Sequence, residues 1–179
     1  GSEYCDMAEN VKPGYQEGTC TEIDLLEANN NAMQTAIHTE LGGSFGSGNC
    51  DRNGCFARIG GPMSPWDKKE LYGPNKRINS MRPFEVEARV GDDGGLQISL
   101  SQDGGNTVTS FDSAMAGNPQ GHGVPYSAKA ATLQSMGKLV LVASLWSSPD
   151  TSWLDGQCHT CNLPEASFVL GNLKTAGNL

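Results

Sequence analysis

The sequence predicts a mostly β, loop-rich fold, and three observations carry that prediction. Hydrophobic residues make up 37% of the 179 positions and aromatics 7%, too lean for a bundle of helices. Glycine occupies 23 positions, an ample supply of turn formers. From Pro83 onward apolar and polar residues alternate with a period of two, as in strands with one covered face. The length suits one domain, taken as residues 3–179, with Gly1-Ser2 read as a cleavage scar.

The first element is Thr21-Glu22-Ile23-Asp24-Leu25-Leu26-Glu27-Ala28. As a strand it puts Glu22 and Asp24 on one face and Ile23 and Leu25 on the other. Strict alternation would then turn Glu27 inward, which is costly for a carboxylate. One extra residue at Leu25-Leu26, a β-bulge, returns Glu27 to the face of Glu22 and Asp24. Three carboxylates so close cannot all stay ionised, so one pKa must rise. An amphipathic helix is the competing reading, because Ile23, Leu26, Met33, Ile37 and Leu41 also fall at helix-like spacings. Asn29-Asn30-Asn31 argues against it, since Asn is a weak helix former.

Gly42 to Pro65 reads as a long ordered loop, and Trp66 as packed within the loop region. Phe84, Val86, Ala88 and Val90 alternate with Glu85, Glu87 and Arg89 in a half-buried strand. Gly91-Asp92-Asp93-Gly94-Gly95 turns the chain, and Leu96, Ile98 and Leu100 lead the returning strand. Asp103-Gly104-Gly105-Asn106 turns it again, and Ala116 to Pro125 is a second long loop. A helix is expected at Ser127 to Met136, with Ser127 at its start and Gly137 at its end. Lys138 to Trp146 is apolar on both faces and so reads as a central, doubly covered strand. Ala166 to Leu173 is a further strand candidate.

Twelve Lys and Arg against twenty Asp and Glu give a net charge of −8. That balance excludes the basic footprint a nucleic acid or an anionic membrane requires. No segment approaches ~18 continuous apolar residues, the length of a membrane-spanning helix. The six cysteines, Cys5, Cys20, Cys50, Cys55, Cys158 and Cys161, read as three disulfides of a secreted protein. A zinc site from Cys50, Cys55, Cys158 and Cys161 is the alternative.

Glu22-Ile23-Asp24-Leu25-Leu26-Glu27-Ala28-Asn29 resembles the E-x-D-x-W-E-A-N strand of glycoside hydrolase family 7, the cellobiohydrolases and endoglucanases. His38 falls where that family has its active-site histidine. Tyr4-Cys5-Asp6, Cys50-Asp51-Arg52-Asn53-Gly54-Cys55, Arg58-Ile59-Gly60 and Tyr72-Gly73-Pro74 resemble further segments of it in the same order. So do Met136 to Trp146 and Trp153-Leu154-Asp155, similar to G-M-V-L-V-M-S-L-W and W-L-D. The likeness covers the C-terminal half of the family's catalytic domain. Departures include Leu26 for the strand's tryptophan, Ala8 for a glutamine after Y-C-D and Ser147 for the acid after S-L-W. They point away from long-tunnel processive action and leave the three carboxylates whole.

The resemblance implies a truncated concanavalin-like β-sandwich, or jelly roll, with one short helix. It implies Glu22 as nucleophile and Glu27 as general acid/base of a retaining hydrolysis. Asp24 would hydrogen-bond Glu22, and His38 would sit near the scissile bond. Trp146 and Trp153 would stack on sugars on opposite sides of that bond, and Arg58 would reach a leaving-group sugar. Tyr4 and Asp6 would also belong to the substrate site. Cys5–Cys20 follows the family, and the family's partners for the other cysteines have no counterpart, which implies Cys50–Cys55 and Cys158–Cys161. The expected protein is a secreted, monomeric, endo-acting β-glucan hydrolase with no cofactor or metal. Its partner is a β-glucan, not a nucleic acid or a membrane. Two alternatives are a non-catalytic glycan-binding or host-interaction protein on the same scaffold and a laminarinase-like hydrolase of family 16, whose E-x-D-x-x-E strand is similar.

Overall fold

The computed structural model describes residues 21–39, 55–113, 141–146, 152–156 and 166–175. Strands β1 (Thr21–Ala28), β2 (Ala32–Thr39) and β3 (Cys55–Gly60) form one antiparallel sheet in that order. A single 3₁₀ turn at Trp66–Lys68 leads to two short parallel strands, β4 (Tyr72–Gly73) and β5 (Ile78–Asn79). Strands β6 (Glu85–Val90), β7 (Leu96–Gln102) and β8 (Asn106–Asp112) form a second three-stranded antiparallel sheet. One helical turn, α1 (Ser152–Asp155), completes the described elements.

The two three-stranded sheets share a core, as a β-sandwich requires. Met33 and Ile37 of β2 and Cys55 and Ile59 of β3 meet Leu96, Ile98 and Leu100 of β7 and Val108 and Phe111 of β8. Tyr72 and Ile78 close one side of this cluster. Strand β7 follows the expected alternation at every position, with its apolar residues buried and the intervening polar ones half-buried. The turn before β8 is the one the sequence predicts. Asp103 (φ 57°) and Gly104 (φ 69°) both adopt the left-handed conformation that a tight hairpin needs.

Several expectations are corrected. Strand β6 forms where predicted, but it is exposed on both faces rather than half-buried, Val86 and Val90 included. Cys55–Gly60, read as part of a loop, is β3, because Ile59 and Cys55 contribute a core face to the register of β2. Leu141–Trp146, read as a central covered strand, has no regular secondary structure and is exposed. Ala166–Leu173 is likewise exposed and forms no strand, and Asn172 turns left-handed (φ 55°), a conformation incompatible with an extended run. Trp66 is 88% exposed and lies over Lys69 (5.9 Å), so it is not packed into its loop. The Ser127–Met136 helix and the Ala116–Pro125 loop lie outside the described residues. Cys55 is disulfide-bonded, with its partner outside those residues, where Cys5, Cys20, Cys50, Cys158 and Cys161 also lie.

Candidate active site

The β1–β2 hairpin supplies most of the site. Its register pairs Glu22 with His38, Asp24 with Ala36 and Glu27 with Gln34, and it shifts between Asp24 and Glu27. That shift is the bulge at Leu25-Leu26, and it resolves the parity problem in the sequence. Residues directly opposite one another share a face. Glu22, Asp24 and Glu27 therefore lie on one face with His38, Ala36 and Gln34, and on β3 Phe56 pairs with Ala36 and Arg58 with Gln34. The opposite face carries Ile23, Met33, Ile37 and Ile59 into the core. Leu26, the residue the bulge displaces, is exposed.

On this polar face the side chains are tied together. His38 Nε2 lies 3.2 Å from Asp24 Oδ2. Gln34 donates from Nε2 to Glu27 Oε2 at 3.2 Å. Arg58, only 5% exposed, donates from Nε (3.2 Å) and Nη2 (2.6 Å) to Gln34 Oε1. Its guanidinium also lies over the rings of Phe56 (5.5 Å) and Trp153 (6.0 Å). A buried guanidinium is costly unless hydrogen-bonded, and Gln34 supplies it an acceptor.

The electrostatics separate the carboxylates. Burial is the largest influence on Glu27, and the charge of Asp24 adds to it; together they push its pKa up to about 7. Glu22 adds a smaller upward push, while His38 and the Gln34 hydrogen bond act in the opposite direction. Glu27 is thus held mostly protonated through the acidic range, up to about pH 7. Burial lowers the Arg58 pKa, against the attraction of Glu27, but a guanidinium so placed stays charged.

The turn after Glu27 is fixed by contacts from three directions. Asn29 accepts from the backbone N–H of Asn31 and Ala32 through its side-chain oxygen. Tyr72 donates its hydroxyl to the Asn29 carbonyl at 3.0 Å, and Ser80 donates to the Asn30 carbonyl. Asp155, 1% exposed, accepts on Oδ2 from the side-chain amides of both Asn29 and Asn31, each at 3.0 Å. At Gly60 (φ 73°) a Cβ would stand 2.4 Å from the Tyr72 carbonyl and 2.6 Å from that of Asn31. Only glycine lets β3 end this close to the turn.

Asp155 belongs to α1, whose Trp153 faces Arg58. Trp146 stacks on Trp153 with ring centroids 6.2 Å apart and planes within 8°. Trp146 and Trp153, expected to stack on separate sugars, thus lie against each other. Arg58, expected to reach a leaving-group sugar, donates from two of its nitrogens to Gln34. Asp24, expected to hydrogen-bond Glu22, lies 3.2 Å from His38. Tyr4 and Asp6 lie outside the described residues. Gln34, Phe56 and Asp155 are members of this constellation that sequence reasoning did not assign. A signal existed for Gln34 alone, at an even spacing from His38 on β2.

Among curated proteins the chain is similar to endoglucanase EG-1 of Hypocrea jecorina, with 27% identity over 197 aligned positions. The alignment covers 96% of this chain and 40% of the endoglucanase, so the chain spans well under half the length of the relative it matches. No protein-family model matches the chain, and no solved structure does.

Proposed function

We propose that this protein is a secreted, retaining, endo-acting hydrolase of β-1,4-glucan, of the kind found in glycoside hydrolase family 7. The observation that carries the reading is the bulged strand. It aligns Glu22, Asp24 and Glu27 on one face, with Glu27 the protonated member. The distant likeness to an endoglucanase supports the substrate class.

In the reaction the Glu22 carboxylate forms a bond to the anomeric carbon while the glycosidic C–O bond breaks. The leaving oxygen takes the Glu27 proton. Water then attacks the glycosyl–Glu22 ester, gives its proton to Glu27 and releases Glu22. Glu22 and Glu27 stand opposite His38 and Gln34, four register steps or about 13 Å apart along the strand. Two glutamates leaning towards one another close most of that gap, which suits the roughly 5–5.5 Å carboxyl separation of retaining enzymes. Asp24 lies between them in register, and its charge disfavours ionisation of Glu27. The stacked Trp146 and Trp153 offer an apolar face for a sugar ring. The even, closely spaced cysteines support secretion.

Reducing-sugar release from soluble β-glucans by wild type and Glu22→Gln tests this directly. Glu22→Gln is expected to lower kcat by more than about a thousandfold while binding persists, because the lost charge acts on the transition state. The aromatic pair favours one second reading, a glycan-binding module. Wild type that binds a β-glucan and cuts none would establish that reading instead.

A further inference from the structure

Arg58 and Glu27 are joined through a single neutral side chain, and the chemistry of the three groups fixes how that side chain is oriented. A guanidinium has five donors and no acceptor. The atom of the Gln34 amide that meets Arg58 at 2.6 and 3.2 Å must therefore be its oxygen. The amide nitrogen is left facing Glu27, where it donates to Oε2. The carbonyl oxygen of a carboxylic acid is a stronger acceptor than its hydroxyl oxygen, so an amide donor favours the unprotonated oxygen. In neutral Glu27 the proton accordingly belongs on Oε1.

We propose that Gln34 is a positioning residue of the reaction, a neutral bridge that keeps the Arg58 cation one side chain away from Glu27 and fixes the acidic proton on Oε1. The proposal rests on reading Glu27 as the acid. Its physical content is a separation of two jobs. Direct contact between Arg58 and Glu27 would form an ion pair and hold the acid ionised, removing the proton the leaving group needs. With Gln34 between them, Arg58 orients the amide, the amide orients the carboxyl, and the carboxyl stays neutral. The other charged or titratable groups acting on Glu27 are Glu22 and Asp24 from β1 and His38 from β2. None of them supplies a donor that selects one Glu27 oxygen.

Two substitutions of nearly equal volume separate these jobs, read by ¹³C titration of the Glu27 carboxyl, assigned by its loss in Glu27→Gln, and by the pH profile of kcat. Gln34→Met keeps Arg58 at a distance but removes the donor. The Glu27 midpoint should rise by about one pH unit, as loss of one hydrogen bond to a charged group implies, and kcat should fall about tenfold. Gln34→Glu keeps an acceptor for Arg58 but presents an oxygen to Glu27 Oε2, drawing the proton between the two carboxyls. Its midpoint should rise at least as far, while kcat falls by a further factor of about ten because the proton sits on the wrong oxygen. A purely structural role would lower stability and leave the Glu27 midpoint in place. An unchanged midpoint in Gln34→Met, or equal activity of the two variants, overturns the proposal. Wild type that releases no sugar would instead sink the hydrolase reading, and the titration would still decide whether Gln34 acts on Glu27.

Discussion

The β1–β2 hairpin encloses polar side chains and the β6–β7 hairpin exposes apolar ones, although both begin from alternating sequences. On β2 and β3 the residues turned away from the core include Gln34 and Arg58, both buried. On β6 even Val86 and Val90 are open to solvent. The difference lies in what stands over each strand. Trp153 of α1 covers Arg58, and Asp155 of the same turn grips the hairpin. No described element lies over β6. Alternation tells which residues share a face, and only tertiary neighbours decide whether that face meets water.

Three tests sharpen this contrast. The largest effect is expected at the shared core. Ile98→Ala on β7 should cost about 2–5 kcal/mol, whereas Val86→Ala on the facing β6 should stay within about 0.5 kcal/mol. Urea unfolding of both variants checks the pair, and equal costs would mean that β6 is covered in solution.

The second tests the enclosed polar face through pH. Glu27 is protonated in folded and unfolded chains alike below its ordinary value of 4.5, and the folded chain resists its ionisation up to about 7. The folded state therefore binds more protons between those values, and stability falls as pH rises through them. Glu27→Gln should match wild type near pH 4 and exceed it by about 2–3 kcal/mol at pH 8. Parallel stability curves across that range would show that Glu27 is not held neutral. The smallest effect is at the turn. Asp155→Asn loses the charged acceptor of two amides and should cost about 1–3 kcal/mol, measured as a lowered melting temperature.

The acidic strand was legible because a carboxylate at an odd interval from its fellows makes regular alternation fail, and a bulge is the local repair. The β7 strand and its Asp103-Gly104 turn were legible for the same local reason: period and turn chemistry lie within a few residues. Strand β3 was not, since Phe56 and Arg58 interrupt any apolar alternation and belong to the polar face. Asp155 carries no signature of its own, and the even spacing of Gln34 from His38 does not reveal its role; they matter through partners 126 and 24 residues away in the chain, respectively. The apolar runs at 141–146 and 166–173 reveal an appetite for burial without revealing what satisfies it. The paired tryptophans illustrate the remaining gap, because a resemblance assigned them to different sugars while the structure puts them face to face.

Asp155 gives the two halves of the site a common anchor. Its carboxylate holds the turn that follows Glu27, and its backbone carries the one-turn helix that presents Trp153. Glu27 and the aromatic pair are consequently registered to each other, so in the proposed reaction a sugar ring would find its stacking partner and its proton donor at a set interval. Such a joint behaves as a fixed gauge rather than a hinge. Heat or denaturant strong enough to loosen it should release stacking and proton donation in a single step.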